Sequence, residues 1–252
     1  MTIPATARAV AGLPMHTLFI SDLHLDDSRP QITALFLEFL VRDARDASAL
    51  YILGDLFEAW IGDDAPSDVG DQVAAGLADL RARGVPSFFI HGNRDFLVGD
   101  AFARRARMTL LPDPSLIDID GERVLLMHGD TLCIDDAKYQ AFRSETRSPE
   151  WQRKFLALPV AERMRFAEQA RAESRRYTRT AESALMDVNA GEVDRTLARH
   201  GVTHLVHGHT HRPNVHRWTR DDTDLERIVL GDWYDQGSLL TWEHGTRELA
   251  AF

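Results

Sequence analysis

"HTLFISDLHL", residues 16–25, runs from an apolar stretch straight into two metal-capable side chains, Asp22 and His24. HTLFIS reads as a buried strand, and the acid and imidazole stand where that strand ends. The same event recurs along the chain. "ALYIL" (49–53) is followed by Asp55, "SFFIH" (87–91) by Asn93, and "VLLM" (124–127) by His128. "THLV" (203–206) is followed by "HGHTH" (207–211), three histidines in five positions. Between the first three runs, "QITALFLEFLVRDA" and "VGDQVAAGLADLRARG" carry apolar residues at helical spacing. "SLIDIDGERVLLMH" (115–128) reads as two strands joined at Asp120-Gly121, and "RIVL" and "GSLLTW" near the C-terminus read as extended. The pattern predicts an α/β layered domain in which two sheets are sandwiched by helices. Strand ends that converge on one sheet edge are where such domains build their sites.

The composition narrows the classes of function. Among 252 residues, 29 Lys and Arg stand against 39 Asp and Glu, a formal charge of −10, which argues against broad binding to nucleic acid phosphates. A single cysteine, Cys133, excludes an internal disulfide and a multi-thiolate zinc site and suits a reducing compartment, so a cytoplasmic protein is expected. The first residues lack the basic and long apolar regions of a secretory signal, and no run of about 18 apolar residues could span a bilayer. Residues 137–187 break the rhythm of strands and helices. They are helical in pattern, hold 11 basic and 7 acidic residues, and carry scattered large apolar groups such as Trp151, Phe155 and Met164. They read as a helical insertion, net +4 against −14 for the rest, within one domain spanning 1–252.

An Asp after a strand is most often a turn or a helix cap. Five separated strand ends that all offer Asp, Asn or His, most of them beside glycine, are another matter. Carboxylates, an amide oxygen and imidazoles without a thiolate suit Mn²⁺, Fe²⁺ or Zn²⁺. Seven such groups are too many for one ion with open positions, but they suit two ions about 3.5–4 Å apart that share a carboxylate. Extended-chain geometry does not choose between the pairs His207/His209 and His209/His211, since both are i, i+2.

The series "DLH", "GD", "GNRD", "HGD" and "GHTH", in this order and covering nearly the whole chain, resembles the calcineurin-like metallophosphoesterases. That resemblance implies a β-sandwich flanked by helices. It implies that Asp22, His24, Asp55 and His211 hold one divalent ion, that Asp55, Asn93, His128 and His209 hold the other, and that His207 is a packed non-ligand. Longer strings, "GDLFEAWIGDD", "GNRDFL", "HGDTLCIDD", "MDVN" and "HGHTHRP", resemble the branch of the family that serves the lipid A pathway. There the reaction splits the pyrophosphate of UDP-2,3-diacylglucosamine into UMP and 2,3-diacylglucosamine 1-phosphate, through a hydroxide activated between two metal ions, most often Mn²⁺.

By that resemblance Arg94 is catalytic, Asn93, Arg94, Asp136, Ser174 and His209 contact substrate, and the insertion forms a substrate lid. The cytoplasmic leaflet of the inner membrane is then the expected peripheral location, with no nucleic acid and no protein partner. Asp95 and Asp130 are expected to orient ligands. Asp26, Asp27, Asp63 and Asp64 read as solvated loop acids. Where the branch presents an Asn and a Lys shortly before "MDVN", this chain has Thr178 and Ala181 by an ungapped count, which leaves Arg179 or a neighbour to substitute. The rival enzymatic expectation is another dimetal phosphodiesterase or pyrophosphatase acting on nucleotides. A metal-free scaffold would have lost ligands, and all seven positions are present.

Overall fold

Alternation along the buried strands serves two apolar layers at once. In β1 (His16–Ile20), Leu18 and Ile20 face a helical layer while Phe19 faces the other way; in β2 (Ala49–Leu53), Leu50 and Ile52 oppose Tyr51 and Leu53. Strands buried on both faces read as nearly continuous hydrophobic runs, as these do. The computed structural model describes residues 16–180 and 187–252. β1, β2, β3 (Ser87–Ile90) and β4 (Thr109–Leu111) are parallel neighbours, and β10 (Ser238–Glu243) and β11 (Thr246–Ala251) extend this sheet antiparallel beside β1. The second sheet has the order β5 (Ser115–Ile119), β6 (Glu122–Met127), β7 (His204–His207), β9 (Thr223–Val229), β8 (Asn214–Arg220), with β6, β7 and β9 parallel.

Phe19, Tyr51, Leu53, Ile90, Val124, Leu126, Val206, Ile228 and Trp242 fill the space between the sheets. Outside the first sheet lie α1 (Pro30–Arg42), α2 (Asp68–Ala82) and α3 (Asp100–Ala106), packed on Leu18, Ile20, Leu50, Ile52 and Phe89. Outside the second, α7 (Ala190–His200) buries Val193 and Leu197 on Leu125, Met127 and Leu205. This is the predicted sandwich between helical layers. The 115–128 hairpin turns at Asp120 and Gly121, both at positive φ, as a tight type I′ turn demands.

Helices α4 (Ala137–Thr146), α5 (Pro149–Leu156) and α6 (Val160–Thr180) occupy the stretch with the helical pattern. Residues 181–186, and Ala181 with them, lie outside the described residues. The helices are pinned to the sandwich by Arg163, which is 1% exposed. Its guanidinium meets Asp64 through both carboxylate oxygens, Nη1 to Oδ1 at 2.8 Å and Nη2 to Oδ2 at 2.5 Å, and Nη1 also donates to the Ile61 carbonyl at 2.6 Å. Asp63 accepts from the Trp60 indole and from the backbone N–H groups of Gly99 and Phe102 at the start of α3, each at 2.9 Å.

Asp63, read from the sequence as a solvated loop acid, is instead a half-buried clasp to α3, whereas Asp64 is exposed in its loop as expected and pairs with Arg163 from there. Asp64→Ala removes an exposed partner that water can replace, while the Ile61 and Leu158 carbonyls still hold Arg163, so the cost is at most about 1 kcal/mol. Hydrogen exchange is expected to show faster opening of α5 and the first turns of α6, with β1–β3 still protected. Unchanged exchange in the helices would show that Asp64 does not hold them.

Candidate metal centre

Five of the parallel strands that end at the same edge of the sandwich each deliver one or two of the predicted side chains. Asp22 and His24 follow β1, Asp55 follows β2, Asn93 follows β3, His128 follows β6, and His209 and His211 follow β7. Asp22, His24, Asp55 and His128 are at most 2% exposed. Asp22, His24, Asp55, His209 and His211 all sit at positive φ, between 50° and 71°. Asp and His tolerate the left-handed region better than most residues, yet five together mark a turn geometry held by its surroundings rather than by local preference. The neighbouring glycines allow the close approach. A Cβ on Gly92 would lie 2.1 Å from Asp55 Oδ1, and one on Gly208 would lie 2.3 Å from Asp22 Oδ2.

Donor atoms of Asp22, His24 and His211 lie within 4.8 Å of one another, and so do those of Asp22, Asp55 and His128. Asp55 straddles the two groups, with Oδ2 3.7 Å from His24 Nε2 and Oδ1 3.9 Å from His128 Nε2. The second group extends to Asn93, whose Oδ1 is 2.9 Å from both His128 Nε2 and His209 Nδ1. His207 belongs to neither group of donor atoms. It is fully buried, its Nδ1 is 2.8 Å from the Gly208 carbonyl, and burial pushes its pKa down to about 3.

Hydrogen-bond roles test whether this set fits divalent cations. His128 Nδ1 faces the Leu53 carbonyl at 2.9 Å, which only accepts, so Nδ1 carries a hydrogen and a neutral ring turns a bare Nε2 toward Asn93 Oδ1, itself an acceptor. His24 Nδ1 lies 3.0 Å from Glu58 Oε2, and His211 Nδ1 lies 3.3 Å from Asp232 Oδ2, while the two Nε2 atoms face each other at 3.3 Å. Asp22 Oδ1 is buried without a hydrogen bond and is 3.4 Å from His211 Nε2. Lone pairs are thus gathered around two points, which a cation relieves and which protons relieve only by charging the imidazoles.

The titration behaviour agrees. Burial opposes protonation of His128, but the charges of Asp55, Asp130 and Asp22 raise it to about 9. Burial likewise opposes protonation of His211, but its bonds to Asp22 and Asp232 raise it to about 10. Burial also disfavours the Asp22 carboxylate, yet the bond and charge of His211, with His128 and His24, hold it below the usual range. The pocket demands positive charge, and the residues fit two divalent ions.

Asp95 is fully buried and accepts N–H groups from Leu56, Phe57 and Gly92. Asp130 accepts from the Tyr139 hydroxyl at 2.5 Å and Arg143 Nε at 2.7 Å. Both brace the loops that carry ligands. Arg94 donates its backbone N–H to Asp55 Oδ1 at 2.8 Å and reaches with Nη2 to Ser174 Oγ on α6 at 3.4 Å; its Nε is buried without a partner. Asp136 caps α4, accepting from the Tyr139 N–H at 2.9 Å and the Tyr177 hydroxyl at 3.2 Å. Glu58, Asp232, Tyr234 and Arg29 line the His24 side; Glu58 lies within the GDLFEAWIGDD string but draws no reading of its own there, and the other three lie outside the quoted motifs.

The calcineurin-like phosphoesterase profile matches residues 15–213. A UDP-2,3-diacylglucosamine hydrolase of Stenotrophomonas maltophilia is 55% identical over 238 residues, which covers 92% of this chain and 96% of that protein. A protein of the same name from Xanthomonas oryzae pv. oryzae is 55% identical over 235 residues, covering 90% of this chain and 94% of its own.

Proposed function

Because the chain belongs to the calcineurin-like phosphoesterase family, we propose that it hydrolyses the pyrophosphate of UDP-2,3-diacylglucosamine, releasing UMP and 2,3-diacylglucosamine 1-phosphate. The observation that carries this reading is the extent of the match: relatives named for this substrate align over nine-tenths of the chain, so the likeness includes the insertion as well as the strand-end residues.

Asp22, His24, Asp55 and His211 would hold one divalent cation, and Asp55, Asn93, His128 and His209 the other. The oxygen and imidazole donor set suits Mn²⁺, Fe²⁺ or Zn²⁺, and Mn²⁺ is the ion we propose. Such a pair acidifies water and neutralises phosphoryl charge. The rest falls to the protein's own groups. Glu58 and Asp232 fix the rings of His24 and His211 so that Nε2 of each faces inward. Arg94 anchors its main chain on Asp55 and aims a guanidinium with a spare N–H at the seam with α6, where two parallel hydrogen bonds to phosphoryl oxygens can form. There it opposes the charge that builds on the α-phosphoryl group. The leaving sugar phosphate is already an anion of modest basicity and needs little help from an acid.

The insertion supplies the lid. Met164 and Phe166 are partly exposed beside Arg and Lys residues, and this mixture suits an acylated, charged substrate. A chain that draws such a substrate from a bilayer works at the cytoplasmic leaflet of the inner membrane as a peripheral protein. Among the described residues no helix is long and apolar enough to cross a membrane.

UMP release from UDP-2,3-diacylglucosamine, with and without Mn²⁺, tests the reading; no release under either condition overturns it. Removing the acyl chains, as in UDP-glucosamine, is expected to lower kcat/KM at least about tenfold, or about 1.4 kcal/mol. Equal turnover of the two compounds would dismiss acyl recognition by the lid.

A further inference from the structure

The two ends of the metal centre are furnished differently. At one end, Asn93 and His209 lie beside Arg94, which reaches Ser174 of the insertion. At the other end, His24 and His211 are backed by Tyr234 and Arg29. The Tyr234 ring lies parallel to His24, 5.3 Å between centres and 9° between planes, and 5.4 Å from His211. It is nevertheless 44% exposed, on the loop between β9 and β10. The Arg29 guanidinium is 4.9 Å from the centre of the same ring. Its Nη2 donates to the His24 carbonyl, and its Nη1 is buried without a hydrogen bond.

Neither side chain contributes to the core, and a guanidinium cannot ligate a cation. A rigidly held, exposed aromatic ring beside a reacting centre, with an unspent N–H next to it, matches a flat group that carries carbonyl oxygens. Nucleobases have such a face, and they stack on aromatic side chains and guanidinium planes.

The inference rests on the hydrolase reading in one respect: the substrate must extend both ways from the α-phosphorus. Helix α6 borders both ends, through Ser174 at Arg94 and through Arg171 at Asp26 and Glu58; the acylated sugar phosphate is assigned to the Arg94 and Ser174 side, where a guanidinium faces the centre without a carboxylate partner. The nucleoside then leaves toward His24 and His211. We infer that Tyr234 and Arg29 form the uridine platform, the tyrosine ring meeting the uracil and Arg29 Nη1 donating to a uracil or ribose oxygen. The flanking carboxylates Asp26, 3.8 Å from Arg171 Nη1, and Asp232, 3.3 Å from His211 Nδ1, can accept ribose hydroxyls.

Calorimetric titration of the Mn²⁺-loaded full chain with UMP and with ribose 5-phosphate isolates the base, because both ligands bring the same phosphate to the metals. The native protein is expected to prefer UMP by about tenfold or more. Y234A should remove most of that preference, Y234F should restore it, and R29M should reduce it, all with the manganese content of the native protein. KM for the nucleotide sugar should rise in Y234A more than kcat falls. No preference in the native protein, or an undiminished preference in Y234A, overturns the platform. So does loss of manganese in parallel with loss of UMP affinity, since Tyr234 would then only support His24. The hydrolase reading fails on a separate result, the absence of UMP release by the native enzyme.

Discussion

His209→Ala and His211→Ala are expected to lose manganese and nearly all turnover, while His207→Ala keeps most of its metal. The three imidazoles stand within five residues, yet their surroundings differ in kind. His211 offers Nε2 to the point shared with His24 Nε2 and Asp22 Oδ1, at 3.3 and 3.4 Å. His209 offers Nδ1 to the point shared with Asn93 Oδ1, at 2.9 Å. His207 is sealed in the sandwich with its Nδ1 on the Gly208 carbonyl. Removing a ligand should exceed the roughly 10–100-fold loss that follows when only an orienting partner of a ligand is removed. His207→Ala should instead show in the melting temperature, because it opens space in a closed interior. Elemental analysis beside steady-state kinetics decides the matter; equal metal loss in all three variants would show the pair to be wrongly chosen.

Arg94→Ala is expected to keep both metals and a near-native melting temperature while kcat falls about 10²–10³-fold, or about 2.7–4 kcal/mol. The loop that bears Arg94 is held by other groups. Asp95 accepts three backbone N–H groups around it, and the Arg94 main chain is tied to Asp55, so the guanidinium is free of structural duty toward Asp95. Its contact with Ser174 is long, at 3.4 Å, and leaves Nε available. Arg94→Lys should recover only part of the rate, since one ammonium cannot reproduce a bidentate fork. If kcat stays within about threefold of native, far short of the loss expected for an electrostatic stabiliser, or if metal departs with activity, Arg94 is a structural residue.

The sequence made the strand ends legible because each of Asp22, Asp55, Asn93, His128 and His209 adjoins its own apolar run. The sandwich was legible for the same reason. What escaped reading were edges and long-range partners. β8 and β11 are edge strands, NVHRWTR and TRELAA, largely exposed, with no apolar run to announce them. β4 has only three residues. Glu58 and Asp232 resemble any other loop acid until β1 pairs with β2, which brings Glu58 beside His24, and with β10, which brings the segment after β9 beside His211. Asp63 misled for the same reason, since its partners at the start of α3 lie 36 and 39 residues away, while Asp64 is exposed as expected and only its pairing with Arg163, 99 residues away, escaped reading.

The candidate ligand side chains are drawn from both sheets: Asp22, His24, Asp55 and Asn93 from the first, His128, His209 and His211 from the second. Cations bound there would be reversible crosslinks that close loops as long as the 187 residues between His24 and His211. The sandwich already holds the ends together, whereas an unfolded chain would have to close so long a loop before it could hold the ion, so binding favours the folded state. The effect grows with free metal, reaching about 2.7 kcal/mol at a hundredfold excess over Kd. The supply of one ion would therefore set two quantities at once, how fast each molecule turns over and how many molecules remain folded.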